Sequence, residues 1–218
     1  MSAPVFPKSA APNRWLSASI AGSTLTGSDI TRDQLAANAV NVTLVGGALD
    51  DTYIAYGTST NVVEQANGGI DTVITWGNSY TLGANVENLT LMGGANSTAT
   101  GNTGNNILTG NDGNNRIVTG GGNDLLVGSK GADTYVPTEA ANSVTWIAGF
   151  KASGTTIDKI DLRGFGMERD HASPDPDGVR SQDRVRVVVL AADQEAVFVL
   201  GHMQLDGRGH RPNHSRPR

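Results

Sequence analysis

Residues 101–136 read GNTGNNILT, GNDGNNRIV, TGGGNDLLV and GSKGADTYV, so the segment repeats itself every nine residues. The fourth position is always glycine, at Gly104, Gly113, Gly122 and Gly131. The sixth position holds an amide or a carboxylate, at Asn106, Asn115, Asp124 and Asp133. The eighth is large and apolar or aromatic, at Leu108, Ile117, Leu126 and Tyr135. A nonapeptide of this form predicts an all-β fold, a parallel coil whose turns must stack to bury their apolar face.

The spacing also predicts how the coils stack. Six residues rich in Gly, Asn and Asp turn the chain and three form a short strand, so two repeats make one flattened coil of parallel β-roll. Alternate windows then lie on the same side, which stacks Asn106 on Asp124 and Asn115 on Asp133. Glycine at the fourth position permits the positive φ that a tight turn needs.

Two interpretations of the stacked sixth positions remain open. Ca²⁺ takes six to eight oxygen ligands, including the backbone carbonyls that turns present. The alternative is a metal-free ladder of hydrogen-bonded Asn side chains. Asn106 and Asn115 favour the ladder, whereas Asp124 and Asp133 favour calcium, because stacked carboxylates repel without a cation or an amide between them. We expect two calcium sites, weaker than usual because each has one carboxylate and one amide.

The candidate calcium ligands follow from this arrangement. Asp124 and Asp133 come first, with Asn106 and Asn115 as their stacked partners. The supporting ligands are glycine carbonyls, those of Gly101, Gly104, Gly110, Gly113, Gly122, Gly128 and Gly131. Two degenerate copies, GGALDDTYI at 46–54 and ANGGIDTVI at 66–74, add Asp51 and Asp71. Their offset of 20 residues is no multiple of nine, so we expect separate turns and not a coil continuous with the array.

Five segments are distinguished along the chain. Residues 1–40 are linker-like, with a short helix expected over 31–39, and residues 41–100 are rich in β-strand signals. Residues 101–136 form the β-roll, and 137–166 supply capping strands. Residues 167–218 hold eight of the twelve arginines and all four histidines. That abrupt shift is typical of a solvated tail or of a different reading frame, and we favour the second.

The seventh positions point away from the core. Ile107 and Leu125 belong to one sheet, and Arg116 and Thr134 to the other. We therefore expect protein to cover the first sheet and solvent to cover the second. Trp76 and Trp146 are expected in the core rather than as sugar platforms.

Composition excludes several classes of function. The formal charge is −5, so the chain lacks the surplus of basic residues that would indicate nucleic-acid binding. There is no cysteine, which excludes disulfides and thiolate metal sites. No cleavable N-terminal signal is visible and no apolar run is long enough for a membrane span. Paired acids of the glycosidase type and other catalytic signatures are absent, so we expect no catalytic residues in this chain. The histidines are expected to be solvated.

The nonapeptide windows, with the flanking NSYTLGANVENLTLMGGA at 78–95, resemble the RTX (repeats-in-toxin) haemolysin-type proteins. The resemblance covers about residues 41–166. It implies a parallel β-roll with calcium in its turns, export by a type I secretion apparatus, and an uncleaved C-terminal signal. It also implies that calcium outside the cell triggers folding. The chain departs from the pattern at Asn106, at Asn115 and at Thr119, which replaces glycine.

The predicted function is therefore a secreted, extracellular calcium-binding module that supports type I secretion and calcium-triggered folding. Two alternatives remain. The chain is the C-terminal fragment of an exported polysaccharide-degrading enzyme, a glycanase, or it is a surface adhesion protein that binds extracellular polysaccharide.

Overall fold

The structure, a computed structural model, describes residues 13–56, 59–138, 143–163, 186–191 and 198–199. These residues contain eighteen strands and no helix. In chain order the strands are β1 Asn13–Ala18, β2 Thr24–Thr26, β3 Arg32–Ala37, β4 Thr43–Val45, β5 Thr52–Ala55, β6 Asn61–Val63, β7 Thr72–Thr75, β8 Ser79–Thr81, β9 Asn88–Leu91, β10 Thr98–Thr100, β11 Ile107–Thr109, β12 Arg116–Val118, β13 Asp124–Val127, β14 Thr134–Val136, β15 Val144–Phe150, β16 Lys159–Ile160, β17 Arg186–Ala191 and β18 Phe198–Val199.

The strands form a parallel β-solenoid of about seven turns, which confirms the predicted fold class. One face is a ten-stranded sheet in the order β1-β3-β5-β7-β9-β11-β13-β15-β17-β18. The other face is divided between a three-stranded sheet, β2-β4-β6, and a five-stranded sheet, β8-β10-β12-β14-β16. All pairings are parallel except that of β17 with β18. The chain therefore alternates between two faces, and its turns lie along two edges.

The predicted stacking of alternate repeats is confirmed. Ile107 pairs with Leu125 in the ten-stranded sheet, and Arg116 pairs with Thr134 in the five-stranded sheet. The eighth-position side chains point inward and stack along the core, with Leu108 and Leu126 on one face and Ile117 on the other. Because no single coil encloses these side chains, neighbouring coils stabilise one another by burying them.

The core continues on both sides of the array with one buried residue from each coil. On the ten-stranded sheet this row consists of Leu35, Tyr53, Val73, Leu89, Leu108, Leu126 and Ile147. Parallel register places these side chains directly above one another. The solenoid therefore extends well beyond the four windows that have a clear repeat.

The N-terminal segment differs from its expectation. Residues 13–37 were expected to be linker-like, with a helix over 31–39, but they contain β1, β2 and β3. β1 pairs with β3, and β3 pairs with β5, so this segment adds coils to the stack. Leu35 and Ala37 are fully buried, because alternate residues of a strand face the core, and Ala36 between them is buried as well. Residues 1–12 lie outside the described part of the chain.

The expectation that 46–54 and 66–74 form separate turns is wrong. β5, which follows Asp51, pairs with β7, and β7 pairs with β9, which pairs with β11. The stack is continuous because a coil can lengthen by loop residues while its strands keep their register. Residues 64–71 form the longer turn that takes up the difference.

The outer face of the ten-stranded sheet is not covered in the described parts of the chain. Ile107 is 46% exposed and Trp146 is 44% exposed. Trp76 is also exposed and stacks on Tyr56, with ring centroids 5.0 Å apart. The expected cover over Ile107 and the expected core position of both tryptophans are therefore wrong. The segments proposed as cover extend the stack at its ends instead.

β15 and β16 follow the array and pair with β13 and β14, so residues 144–160 continue the coil. In the tail, only the backbone of β17 and β18 is described, and His171, His202, His210 and His214 lie outside the described residues. The question of the reading frame after residue 166 also rests on that part of the chain. The described residues include no helix of the length and hydropathy needed to cross a bilayer.

Candidate metal centres

A column of polar side chains runs along one edge of the ten-stranded sheet, at or next to the first residue of each strand. Its members, in order along the stack, are Asp33, Asp51, Asp71, Glu87, Asn106 and Asp124. Parallel pairing without slippage places the equivalent residues of successive coils above one another. The regular array and its two degenerate copies predict four of these members, and Asp33 and Glu87 lie outside the pattern.

Carboxylates in this column bond to the backbone of the coil before them. Asp51 Oδ1 accepts the N–H of Asp33 at 2.7 Å, and Asp71 Oδ1 accepts that of Asp51 at 2.7 Å. Asp124 Oδ1 accepts the N–H of Asn106 at 2.8 Å. One oxygen of each carboxylate is therefore committed to holding two coils together, which explains why charged groups are tolerated inside the turns.

The second oxygen of these carboxylates accepts no hydrogen bond. The Oδ2 atoms of Asp51, Asp71, Asp124 and Asp133 are buried and accept no hydrogen bond. An unpaired buried polar atom costs about 1–3 kcal/mol, and more when it carries charge. Burial correspondingly raises the pKa of Asp124 to about 6. These four atoms are the part of the turns that a hard cation would satisfy.

The asparagine turns are built differently. Asn106 Oδ1 accepts the N–H of Asn102 at 2.8 Å, while Asn106 Nδ2 donates to the carbonyl of Val86 at 3.1 Å. Asn115 Oδ1 likewise accepts the N–H of Asn111, and its Nδ2 donates to Asn111 Oδ1, both at 2.8 Å. Because both ends of these amides are bonded, the asparagine turns close through an amide network. The two interpretations left open by the sequence thus fall on different turns.

The backbone confirms that there are two kinds of turn. Gly122 and Gly131 have φ of 78° and 87°, as expected for the fourth position. Gly104 and Gly113 do not share that conformation. Their N–H groups instead donate to the side-chain oxygens of Asn102 and Asn111 at 2.8 Å. The expectation of positive φ at all four glycines is wrong for these two, because a side-chain amide closes the turn.

The second array site, at Asp133, already contains a cation. Asp133 Oδ1 accepts the N–H of Asn115 at 2.8 Å, and Asp133 Oδ2 lies 3.5 Å from Lys151 Nζ. The same ammonium lies 3.3 Å from Asp158 Oδ1. Burial raises the pKa of Asp133, and Lys151 opposes that shift. The site at Asp124 has no such lysine within ion-pair distance among the described residues.

The supporting carbonyls separate into two groups. The carbonyls of Gly104 and Gly113 face the α-carbons of Gly122 and Gly131 in the next coil. A side chain at Gly122 or Gly131 would collide with these carbonyls. The carbonyl of Gly128 faces Gly110 in the same way. In contrast, the carbonyl of Gly110 accepts the Ser129 hydroxyl at 3.0 Å, and that of Gly131 accepts Lys151 Nζ at 3.1 Å. Gly101 packs on the Asn106 side chain.

The structure also brings together two carboxylates that were predicted and one that was not. Asp51 and Asp71 lie with Glu64, and the three offer ligand oxygens within 4.8 Å of one another. Glu64 directly follows β6, in the slot that glycine fills after β4 and β10. That substitution is the sequence signal for Glu64, and it is hidden because the repeat is longer there.

The array residues thus fit calcium in their chemistry. Asp124 presents one unpartnered carboxylate oxygen inside a turn lined by backbone carbonyls, and Asp133 presents one that accepts no hydrogen bond and is met only by Lys151. It stays a prediction that calcium is also bound by the amide oxygens of Asn106 and Asn115 and by the carbonyls of Gly101 and Gly122.

The family comparison agrees with this geometry. Residues 100–135 match the model of the RTX calcium-binding nonapeptide repeat, in four copies. Residues 100–135 are RTX calcium-binding nonapeptide repeats. The RTX array therefore comprises the coil from the end of β10 to β14. RTX repeats bind Ca²⁺, so the calcium expected from the sequence is the ion of this array.

Two curated relatives contain a similar segment. The chain is 44% identical over 79 residues to the endo-1,3-1,4-beta-glycanase ExsH of Rhizobium meliloti, and 39% identical over 79 residues to the endo-1,3-1,4-beta-glycanase EglC of the same strain. Each alignment covers 36% of this chain but only 17% of the relative, so most of each glycanase has no counterpart in it. No solved structure matches the chain.

Proposed function

We propose that this chain is a secreted calcium-binding module whose solenoid is completed by calcium outside the cell, and that a type I apparatus exports it before folding. The observation that carries the proposal is Asp124 Oδ2 inside the RTX array, which is buried without a hydrogen bond and without an ion pair among the described residues. Asp133 Oδ2 accepts no hydrogen bond either, and its charge is met by the Lys151 ammonium. The calcium-binding repeat and the resemblance to glycanases of R. meliloti support an extracellular destination.

The proposed switch follows from how the coils hold one another. Each array carboxylate contributes one oxygen to the preceding coil and leaves the other as buried negative charge. When bound, calcium supplies positive charge to those oxygens. Because the ligands come from stacked coils, a binding site exists only in the folded chain, so binding free energy becomes folding free energy. At a calcium concentration about 100 times its dissociation constant, one site adds about 2.7 kcal/mol.

The test is circular dichroism with and without about 5 mM CaCl₂, which exceeds the dissociation constants of about 0.1–1 mM that are typical of extracellular calcium sites. We expect more strand signal in calcium than in EGTA. The variant Asp124→Asn with Asp133→Asn keeps both N–H acceptors and removes both charges, so it should lose most of the response. A spectrum that is indifferent to calcium and EGTA in the wild type would contradict the proposal.

A second candidate is that the chain is one part of an exported polysaccharide-acting enzyme. The similarity to ExsH and EglC favours it, because both printed names are those of endo-glycanases. The chain itself is proposed to be non-catalytic, and the test is assay of the purified chain on a mixed-linkage β-glucan. A catalytic domain encoded in frame upstream would support this origin, and measurable hydrolysis by the chain alone would refute the non-catalytic assignment.

A third candidate, adhesion to polysaccharide, is favoured by the exposed aromatic pair. Tyr56 and Trp76 stack on neighbouring coils with an interplanar angle of 18°, and both rings are substantially exposed. Aromatic faces of this kind present a large amphipathic contact area. A glycan array with the calcium-loaded chain tests this function, and the Trp76→Ala variant is its control.

A further inference from the structure

The cluster of Asp51, Glu64 and Asp71 lies outside the RTX array, in the coils that contain β4 to β7. All three side chains are buried, with exposures of 1%, 8% and 0%. Their ligand oxygens lie within 4.8 Å of one another. Within the described residues this is the one group of three such ligands that close together. It is therefore a different arrangement from the single carboxylates of the array.

The fold explains how a third carboxylate enters this turn. Asp51 and Asp71 occupy the polar column, one coil apart. The turn that ends at Asp71 spans residues 64–71, whereas the equivalent array turn spans residues 101–106. This longer turn also begins with Glu64, whereas the turns of the other two coils begin with Gly46 and Gly101. Glu64 therefore faces the interior of the turn, where the shorter coils have no side chain.

The oxygens of the cluster converge on one point. A β-carbon placed on Gly46 would collide with Asp51 Oδ2, Glu64 Oε1 and the Tyr53 hydroxyl together. Glu64 is held in place there, since Oε1 accepts the Tyr53 hydroxyl and Oε2 accepts the N–H of Gln65 at 2.9 Å. Glycine at position 46 thus keeps open a small space lined with oxygen.

Two atoms in this space lack any partner. Asp51 Oδ2 and Asp71 Oδ2 are buried without a hydrogen bond, although Oδ1 of each accepts a backbone N–H. None of the three carboxylates forms an ion pair within the described residues, since Arg14 pairs with Asp33 and Arg32 with Asp50. Three acids packed together without a cation repel one another when ionised.

We propose that Asp51, Glu64 and Asp71 form a calcium site separate from the RTX array and tighter than the array sites. The choice of calcium rests on the proposed function, whereas the site itself rests on the converging and unpartnered oxygens. Three carboxylates meet the preference of Ca²⁺ for charged oxygen ligands, and affinity rises with the number of such ligands. Each array site contributes a single aspartate.

The site would also connect the two faces of the solenoid. Asp51 and Asp71 directly precede strands of the ten-stranded sheet, while Glu64 follows β6, the last strand of the three-stranded sheet. β6 and β8 are not paired, so the second face is interrupted beside Glu64. Asn85 Nδ2 donates to the Glu64 carbonyl at 3.1 Å across that interruption. Occupancy of the site would therefore stabilise the N-terminal coils where the second face is interrupted.

Calorimetric titration of the metal-free full chain with calcium tests the proposal. We expect a tight class and a weaker class of sites in the wild type. Glu64→Gln should weaken the tight class by on the order of tenfold or more and leave the weaker class intact. The matched variant, Asp124→Asn with Asp133→Asn, should remove the weaker class and retain the tight one. An isotherm of Glu64→Gln identical to that of the wild type would overturn the separate site but leave the proposed function standing.

Terbium luminescence provides a second measurement, which reports the distance of the bound ion from a tyrosine ring. Tb³⁺ shares the oxygen preference of Ca²⁺, and Tyr53 contacts Glu64, so terbium at this site should be sensitised by the tyrosine ring. Tyr53→Phe should abolish most of the emission that appears with the first equivalent. Tyr135→Phe, the matched change beside Asp133, should leave that emission unchanged. Undiminished first-equivalent emission from a folded Tyr53→Phe chain would overturn the assignment.

Discussion

Lys151 Nζ lies 3.5 Å from Asp133 Oδ2, so an ammonium group occupies the edge of the last turn of the array. The lysine is 26% exposed and the aspartate is fully buried, which makes the pair far less screened than a surface ion pair. The array sites are therefore not equivalent, because a cation entering at Asp133 must displace this ammonium.

We expect Lys151→Gln to increase the calcium affinity of the Asp133 site, because the competing charge is gone. Calorimetric titration should show that the weaker class of calcium sites binds on the order of tenfold more tightly. An ion pair with a buried group is worth more than the about 0–1 kcal/mol of a surface pair, and about 1.4 kcal/mol corresponds to a tenfold change in affinity. Lys130→Gln is the control, because Lys130 pairs with Asp112 at 2.7 Å on the surface. Equal affinities for Lys151→Gln and the wild type would contradict the competition.

The metal-free chain should lose stability as the pH rises. Burial raises the pKa of Asp71 to about 7 and that of Glu64 to about 8, from a usual value of 4.5 for Glu64. A carboxyl whose pKa is raised by folding binds its proton more tightly in the folded state. Its stabilisation is complete below the unfolded pKa and is lost as the pH rises through the folded pKa.

Denaturant unfolding of the metal-free chain at pH 5 and pH 8 measures this effect. We expect the lower midpoint at pH 8. Saturating calcium should reduce or reverse the difference, because its ligands must be deprotonated and its affinity therefore rises with pH. Glu64→Gln, which cannot ionise, should show a smaller loss. A metal-free chain that gains stability between pH 5 and pH 8 would contradict the prediction.

Asn106 and Asp124 should respond differently to substitution. Asn106→Ala removes an amide that bonds to Asn102 and Val86, so it should cost about 1–3 kcal/mol with or without calcium. Asp124→Asn keeps the acceptor for the Asn106 N–H and removes only charge. It should therefore lower stability in calcium but not in EGTA. Thermal unfolding of both variants in both buffers distinguishes the two roles. If the two variants show the same calcium dependence, Asn106 and Asp124 do not differ in role.

Leu49 should be a site where glycine improves the fold. It stands where the repeat has glycine, and its φ is 76°. The left-handed conformation costs an L-residue about 1–2 kcal/mol, so Leu49→Gly should stabilise the chain by about 1 kcal/mol after the loss of side-chain burial. Ala48→Gly, at a residue without positive φ, should destabilise it by about 0.5–1 kcal/mol. If both substitutions lower the unfolding midpoint, φ at Leu49 does not carry strain.

The sequence was sufficient for the parts of the fold that repeat. Glycine at every fourth position and an apolar residue at every eighth predict stacked parallel coils, and the pairing of Ile107 with Leu125 confirms the register. Coils of other lengths escape a search for a fixed period. The coils formed by residues 13–37, and the coil with the longer turn at 64–71, are therefore recognised only from the pairing of their strands in the structure.

The positions of the candidate ligands could be predicted from the sequence, but the way in which each side chain is used could not. Asp124 and Asp133 both present an oxygen that accepts no hydrogen bond, whereas Asn106 and Asn115 use their amides for hydrogen bonds. Periodicity marks a position but does not distinguish these two uses, because Asn and Asp have the same shape. Glu64 and Lys151 depend on which side chains meet across coils, and their spacing follows no repeat.

The bonding along the polar column has a direction. Each acid holds the backbone of the coil that precedes it, as Asp71 holds Asp51 and Asp51 holds Asp33. Coils removed from the low-numbered side would take their amide donors with them, and water would solvate the acid left at the new end. Coils removed from the high-numbered side would take the carboxylate acceptors away and leave backbone N–H groups for water to solvate at the new end. The two ends of the ribbon therefore present opposite groups, hydrogen-bond acceptors at the low-numbered end and donors at the high-numbered end, so a segment that caps one end would not fit the other.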